Sequence, residues 1–271
     1  MLLHGFPDFS YGWREQMPAI AAAGFRAVAP DLRGYNRSDK LRGVAAYDLA
    51  HIAADIAALI GALGHDRAHA IIGHDWGGIV AWRLSATHRE LVDRLVIINA
   101  PHPRVLRREL RTLDQLVRSS YAVFFQLPLL PELVLRANDY ALVLRTLRRE
   151  VRRPGALTDA DLERHRGALA QPGALTAMLD YYRATGRRMI GLGRPRRHAS
   201  SLTVQHTLII WGDLDPFLNQ RFVDGLEQWV PALRIVRFPT AGHWVHLDEP
   251  ERVNAEITGF LTESLASRSS T

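Results

Sequence analysis

Ala68-His69-Ala70-Ile71-Ile72-Gly73-His74-Asp75-Trp76-Gly77-Gly78 joins a short apolar run to a turn of small residues, after which Ile79 to Ala86 reads as a helix. A run of this length ending in glycine is a buried parallel strand entering a tight turn. Working outward, Phe25–Ala29, Leu95–Asn99, Leu208–Trp211 and Leu233–Phe238 are further strand candidates. Asp48 to Leu63 carries Ile52, Ile56, Leu59, Ile60 and Leu63 at helical spacing and stops at Gly64, and helices are also expected over Gln220–Trp229 and Pro250–Leu265. Strand, helix, strand in this order predicts an α/β chain with right-handed crossovers and a mostly parallel central sheet.

Residues 102 to 200 break the rhythm. They are rich in Leu and Arg, carry helical patterns over Glu132–Val151 and Ala174–Thr185, are punctuated by Pro128, Pro131, Pro154, Pro172 and Pro195, and offer no comparable strand. The expected organisation is a core made of residues 1–101 and 202–271, with a helical cap inserted over 102–201.

The 271 residues are 47% hydrophobic and 23% charged and include no Cys, which suits one domain with an insertion and excludes disulfides, thiolate zinc ligation and a thiol nucleophile. No apolar stretch is long enough to span a membrane, and the start of the chain lacks a signal-peptide pattern, so the expectation is a cytoplasmic protein. The net charge is +6, yet residues 101 to 200 hold 19 Arg against 9 acidic residues, and Lys40 is the only lysine of the chain. That excess is read as solvated helix faces with an Arg-biased composition, so no nucleic-acid partner is expected. The His residues show no metal-ligand spacing and no phosphate-binding loop occurs, so neither a metal nor a cofactor is expected.

Gly73-His74-Asp75-Trp76-Gly77 has the small-residue frame of a nucleophile elbow, with Asp75 in the nucleophile position. A carboxylate there is ionised at neutral pH and can attack carbon without a base, giving an ester. The plainer alternative is an N-cap followed by a glycine turn. Two features favour the elbow. His4-Gly5-Phe6-Pro7 follows Leu2-Leu3, as expected of a loop that donates to an oxyanion, so the Phe6 and Trp76 N–H groups would face one oxygen. Trp211-Gly212-Asp213-Leu214-Asp215 and Ala241-Gly242-His243-Trp244 then place an acid and a histidine past the next two strands. The order is nucleophile, acid, histidine, with Asp215 or Asp213 as the acid and His243 as the base.

Together with Asp31-Leu32-Arg33-Gly34-Tyr35 and Asn99-Ala100-Pro101-His102-Pro103, these motifs resemble the epoxide hydrolase branch of the α/β-hydrolase fold, over nearly the whole chain. Its fold motifs are shared with haloalkane and haloacetate dehalogenases. The resemblance implies that Asp75 attacks an epoxide, that two cap tyrosines protonate the opening oxygen, and that His243, oriented by Asp215, activates water to release a vicinal diol. Ser120-Tyr121-Ala122-Val123-Phe124-Phe125-Gln126 matches the segment carrying the first tyrosine, Tyr121. Asp180-Tyr181-Tyr182-Arg183 matches the second, where the Tyr-Arg step points to Tyr182 ahead of Tyr181. Phe125 and Trp244 are expected to touch the substrate, and Phe124, Leu127, Leu129 and Leu130 to make its pocket apolar. His74 and His102 have no demanded role.

The partners implied are a small apolar epoxide and water, and a homodimer is compatible with the sequence. A dehalogenase using the same Asp75 and a non-catalytic ligand-binding shell are the rival readings; Phe6 stands where many dehalogenases have a halide-binding Asn. Members of the branch usually carry about two more strands ahead of the segment matching Leu2-Leu3-His4-Gly5. The expectation is therefore either a misassigned start or a sheet whose N-terminal hairpin is missing; in the second case the strand before His4 has little ladder to hold it.

Overall fold

The computed structural model describes residues 1–191 and 202–263. Five parallel strands, β1 (Leu2–Leu3), β2 (Ala68–His74), β3 (Val92–Ile98), β4 (His206–Gly212) and β5 (Leu233–Phe238), lie side by side in chain order. Alternate strand residues serve opposite faces, as the two-residue period of a strand requires. Leu3, Ile71, Leu95, Ile97 and Ile209 pack on one face against α2 (Leu49–Ala62) and α3 (Trp76–Thr87). Leu2, Ile72, Val96, Ile98 and Ile210 pack on the other against α1 (Gln16–Ala22) and the last helix (Pro250–Thr262).

Phe25–Ala29, expected as a strand, is irregular. Its neighbour β1 is only two residues long, and the one ladder bond between them runs from the Leu2 N–H to the Val28 carbonyl, 2.8 Å. Gln220–Trp229, expected as a helix, is two short 3-10 turns separated by extended Asp224 and by Gly225 at φ 71°. Leu265, the expected end of the final helix, lies outside the described residues.

Between β3 and β4 the described chain is helical: α4 (Pro103–Glu109), α5 (Leu113–Arg118), α6 (Ser120–Phe124), α7 (Leu130–Glu150), α8 (Asp159–Leu169) and α9 (Ala174–Met189). Residues 192–201, including Pro195 and the end of the expected cap, lie outside the described residues. The expected helix Glu132–Val151 is broken inside α7, where Asn138, Asp139 and Tyr140 take left-handed angles. Asn and Asp tolerate that conformation better than other side chains, so an Asn-Asp pair is where such a run can turn.

Candidate active site

β2 ends at His74, and Asp75 turns the chain into α3 at φ 50° and ψ −120°. This strained geometry is what an elbow requires. A Cβ on Gly77 would lie 1.9 Å from the Leu3 carbonyl oxygen, and one on Gly73 would lie 2.5 Å from the Gly77 carbonyl oxygen. Only glycine lets the first turn of α3 sit this close to β1 and β2.

The Asp75 side chain points to the carboxyl ends of the strands. Its Oδ1 accepts the Phe6 N–H at 2.8 Å, and its Oδ2 is 3.7 Å from His243 Nε2. Burial works to raise its pKa, but His243 and the Phe6 N–H hold the carboxyl below its usual range. The Trp76 N–H is the first amide of α3, one of those a helix leaves without an internal acceptor.

Behind His243, its Nδ1 donates to Asp215 Oδ2 at 2.6 Å. Asp215 is buried, and every lone-pair direction is used: Oδ2 also accepts from Asn99 Nδ2 at 2.7 Å, while Oδ1 accepts the Phe217 and Leu218 N–H groups at 2.8 and 3.0 Å. Asp213 instead pairs with Arg237 at 2.9 Å. Burial disfavours a charged His243, but Asp215 and Asp75 together push its pKa up to about 10. His74 is buried, which lowers its pKa to about 4, and its Nε2 donates to the His243 carbonyl at 3.0 Å, fixing that backbone.

The loop from His4 to Asp8 is tied down twice. His4 is buried and kept neutral, bridging the Leu32 N–H at 3.0 Å and the Gly5 carbonyl at 3.1 Å. Asp8 closes the turn with its N–H on the Gly5 carbonyl at 2.9 Å and meets His165 of α8, Oδ1 to Nε2, at 3.1 Å. His165 Nδ1 lies 2.8 Å from the Asp161 carbonyl, so both ring nitrogens face acceptors and the imidazole is a cation. Burial acts against both charges, yet the pair holds Asp8 below and His165 above their ordinary values. Core loop and cap helix thus share a buried ion pair.

Facing Asp75 from the cap are Tyr121 of α6 and Tyr182 of α9, whose rings pack edge to face 5.9 Å apart. Burial, then the nearby charges, pushes both phenols above their ordinary pKa, so both keep their protons. Tyr182 packs edge-on to Trp76 at 4.8 Å and Phe125 at 5.0 Å. Tyr181 turns away: its hydroxyl donates to the Arg33 carbonyl at 2.7 Å and its ring is buried against Tyr35 and Tyr47.

Phe125 lines the site between Phe6 and Tyr121. Trp244 touches the His243 ring at 4.8 Å but is buried with Leu147, Val151, Ala156, Leu157 and Leu247, where the cap packs on the core. Leu127, Leu129 and Leu130, expected to line a pocket, point to solvent. The physical reason is that Glu132, not a leucine, takes the inward position at the start of α7, held by Arg183 at 2.7 Å. His102 caps α4 through its ring and packs against Trp82.

Sequence reasoning missed Asn99 and Phe217. Asn99 holds Asp215 and both polar backbone atoms of Gly212, and its φ of 39° at the end of β3 fits an Asn at that spot. Phe217 bridges Tyr121 and His243, at 5.6 and 5.2 Å, and nothing in its local sequence signals this.

A strained carboxylate elbow, an amide on its oxygen and a His–Asp pair at the strand ends define an α/β-hydrolase site. Residues 1–250 match the family profile described as alpha/beta hydrolase fold. The chain is 40% identical to AB hydrolase superfamily protein YfhM of Bacillus subtilis (strain 168), over 96% of this chain and 89% of that protein. It is 35% identical to Epoxide hydrolase 4 of Mus musculus, over 97% of this chain and 72% of that one. The crystal structure of a Bacillus megaterium epoxide hydrolase in complex with an inhibitor superposes with a TM-score of 0.87 at 30% identity, covering 97% of this chain and 92% of that one. The chain belongs to the epoxide hydrolase family of the α/β-hydrolases.

Proposed function

We propose that this protein hydrolyses a small apolar epoxide to a vicinal diol through an ester on Asp75. The observation that carries the reading is the placement of two protonated phenols, Tyr121 and Tyr182, packed on each other and on Trp76 across the site from the partly buried, ionised Asp75 carboxylate. Ring opening needs an acid for the departing oxygen, whereas halide release needs N–H donors, so the paired phenols favour an epoxide over a haloalkane.

Asp75 Oδ2 attacks an epoxide carbon, the carbon–oxygen bond breaks, and the alkoxide takes a proton from the tyrosine pair. In the resting site His243 is protonated between two carboxylates, with its pKa held at about 10. Esterification turns Asp75 neutral and removes one of those carboxylates, so His243 can return its proton to the tyrosinate and become a base. It then takes a proton from water as the oxygen attacks Cγ. The oxyanion develops on Oδ1, where the Phe6 N–H already sits and the Trp76 N–H can join it. Collapse expels the diol oxygen, which receives the proton of the new Asp75 carboxylic acid. His243 is left protonated, and the sum is epoxide plus water to diol. Asn99 and the two loop amides keep Asp215 fixed throughout.

The test is His243→Gln incubated with styrene oxide. Alkylation should continue while hydrolysis stalls, so the peptide containing Asp75 should gain the mass of the epoxide. A folded variant that stays unmodified with styrene, aliphatic and fatty epoxides overturns the ester mechanism.

A further inference from the structure

Two cap elements, α5 and the start of α7, bury a polar residue and expose apolar ones, and α6 between them exposes a further valine. On α5, Gln115 is fully buried and donates to the Phe217 carbonyl at 2.7 Å, while Leu113 and Val117 are 78% and 66% exposed. At the start of α7, Glu132 is buried on Arg183, while Leu129 and Leu133 are 74% and 68% exposed. Between them α6 turns Tyr121 and Phe125 toward the site and leaves Val123 exposed on its other side. The end of α9 joins this face, because Gly186 packs on the Gln126 side chain and the following Met189 and Ile190 are exposed. A helix apolar on both sides is ordinarily covered on both. Seven large aliphatic side chains bare on neighbouring cap segments are the kind of surface that marks an interaction site.

The rim of the face is basic. Of the three acidic residues between 103 and 136, Glu109 and Glu132 are buried and Asp114 is held by Arg118. Arg107, Arg111 and Arg136 are exposed, and among the described residues none of them makes an ion pair. Next to Leu113, a cavity of about 390 Å³ is lined by Arg104, Arg107, Arg108 and Arg111 together with Gln228 and Trp229.

We propose that this face of the cap docks on the surface of an anionic phospholipid bilayer. The aliphatic side chains enter the boundary between headgroups and acyl chains, and the arginine-lined cavity takes headgroup phosphate. Charge selects this occupant: a second copy related by a two-fold axis would set the arginine rim against itself, whereas anionic lipid supplies the missing negative charge. No helix among the described residues is long and apolar enough to cross a membrane, so the contact is a peripheral one. The inference goes beyond the epoxide reading and does not depend on it.

The full chain is sedimented at low salt with vesicles of equimolar phosphatidylglycerol and phosphatidylcholine, and with vesicles of phosphatidylcholine alone, without any epoxide. Binding should be about tenfold or more stronger to the anionic vesicles and should weaken by about tenfold in Arg107→Glu/Arg111→Glu. Leu129→Asp/Leu133→Asp should lose it as well, with an unchanged circular-dichroism melt in both variants. The proposal is overturned if wild type stays in the supernatant, if both vesicle types bind alike, or if the folded variants bind as wild type does. It is also overturned if Leu129→Asp/Leu133→Asp converts a dimer seen by light scattering into a monomer, which assigns the face to a second copy.

Discussion

In the sheet half of the molecule, Ile71, Leu95, Ile97 and Ile209 pack inward and glycines let backbone meet backbone at the elbow, whereas α5 and the first turn of α7 bury Gln115 and Glu132 and send leucines to solvent. Close backbone packing holds Asp75 at its strained φ of 50° with little freedom. The cap instead meets the oxyanion loop through discrete polar links: Asp8 to His165, and the Tyr11 hydroxyl to Asp161 at 2.6 Å. Two ways of holding a side chain thus converge on one site, a rigid one under Asp75 and an adjustable one over Tyr121 and Tyr182.

The largest expected effect comes from cutting the link between the halves. Asp8→Asn leaves His165 without its counter-ion and should cost about 3–5 kcal/mol of stability. The pH dependence has a definite sign. Asp8, with a lowered folded pKa, contributes above the ordinary carboxylate range and loses that contribution as pH falls through its folded value. His165, with a raised folded pKa, contributes fully below the ordinary histidine value and loses it as pH rises through its folded value. The melting-temperature gap between wild type and Asp8→Asn should therefore be widest between about pH 4 and 6.5 and narrow on both sides. Taking the difference removes most of the opposite trend from His4, His74 and His246, whose pKa values burial lowers and Asp8 raises only in part. A gap that does not change from pH 4 to 9 breaks the ion-pair account.

A smaller effect separates neighbours within the cap. Tyr182→Phe should slow diol formation on the order of 10²-fold, by removing one of the two acids. Tyr181→Phe, which loses only its bond to the Arg33 carbonyl, should leave the rate near wild type in the same assay. Equal losses in the two variants would mean that α9 as a whole, rather than one hydroxyl, matters.

The smallest effect has the opposite sign. A Cβ on Gly167, inside α8, meets nothing within 4 Å, so Gly167→Ala should stabilise the cap helix by about 0.5–1 kcal/mol in a denaturant titration. Glycines at the elbow permit no such gain.

What could be read in the sequence follows the same division. Gly73-His74-Asp75-Trp76-Gly77, the acid after β4 and the histidine after β5 are local patterns, because a tight turn demands small residues within a few positions. The parallel strands were legible from apolar runs, except Phe25–Ala29, whose pairing rests on a partner only two residues long. In the cap, leucine content could not tell which side of a helix faces in, so Leu127, Leu129 and Leu130 were expected inside. The Asp8–His165 pair joins residues 157 positions apart, and the Asn99–Asp215 bond joins residues 116 apart. Neither has a local signature, since folding alone brings such partners together.

The ion pair also bears on modularity. A cap grafted onto this core from a relative would have to bring more than two phenols at the right height: without a cation to meet Asp8, it would leave a buried charge unanswered beside the loop whose Phe6 N–H holds Asp75. The requirement lies outside the cluster of Asp75, His243, Tyr121 and Tyr182, so changing Asp8 or His165 alone in this chain leaves the other charge buried and unpaired.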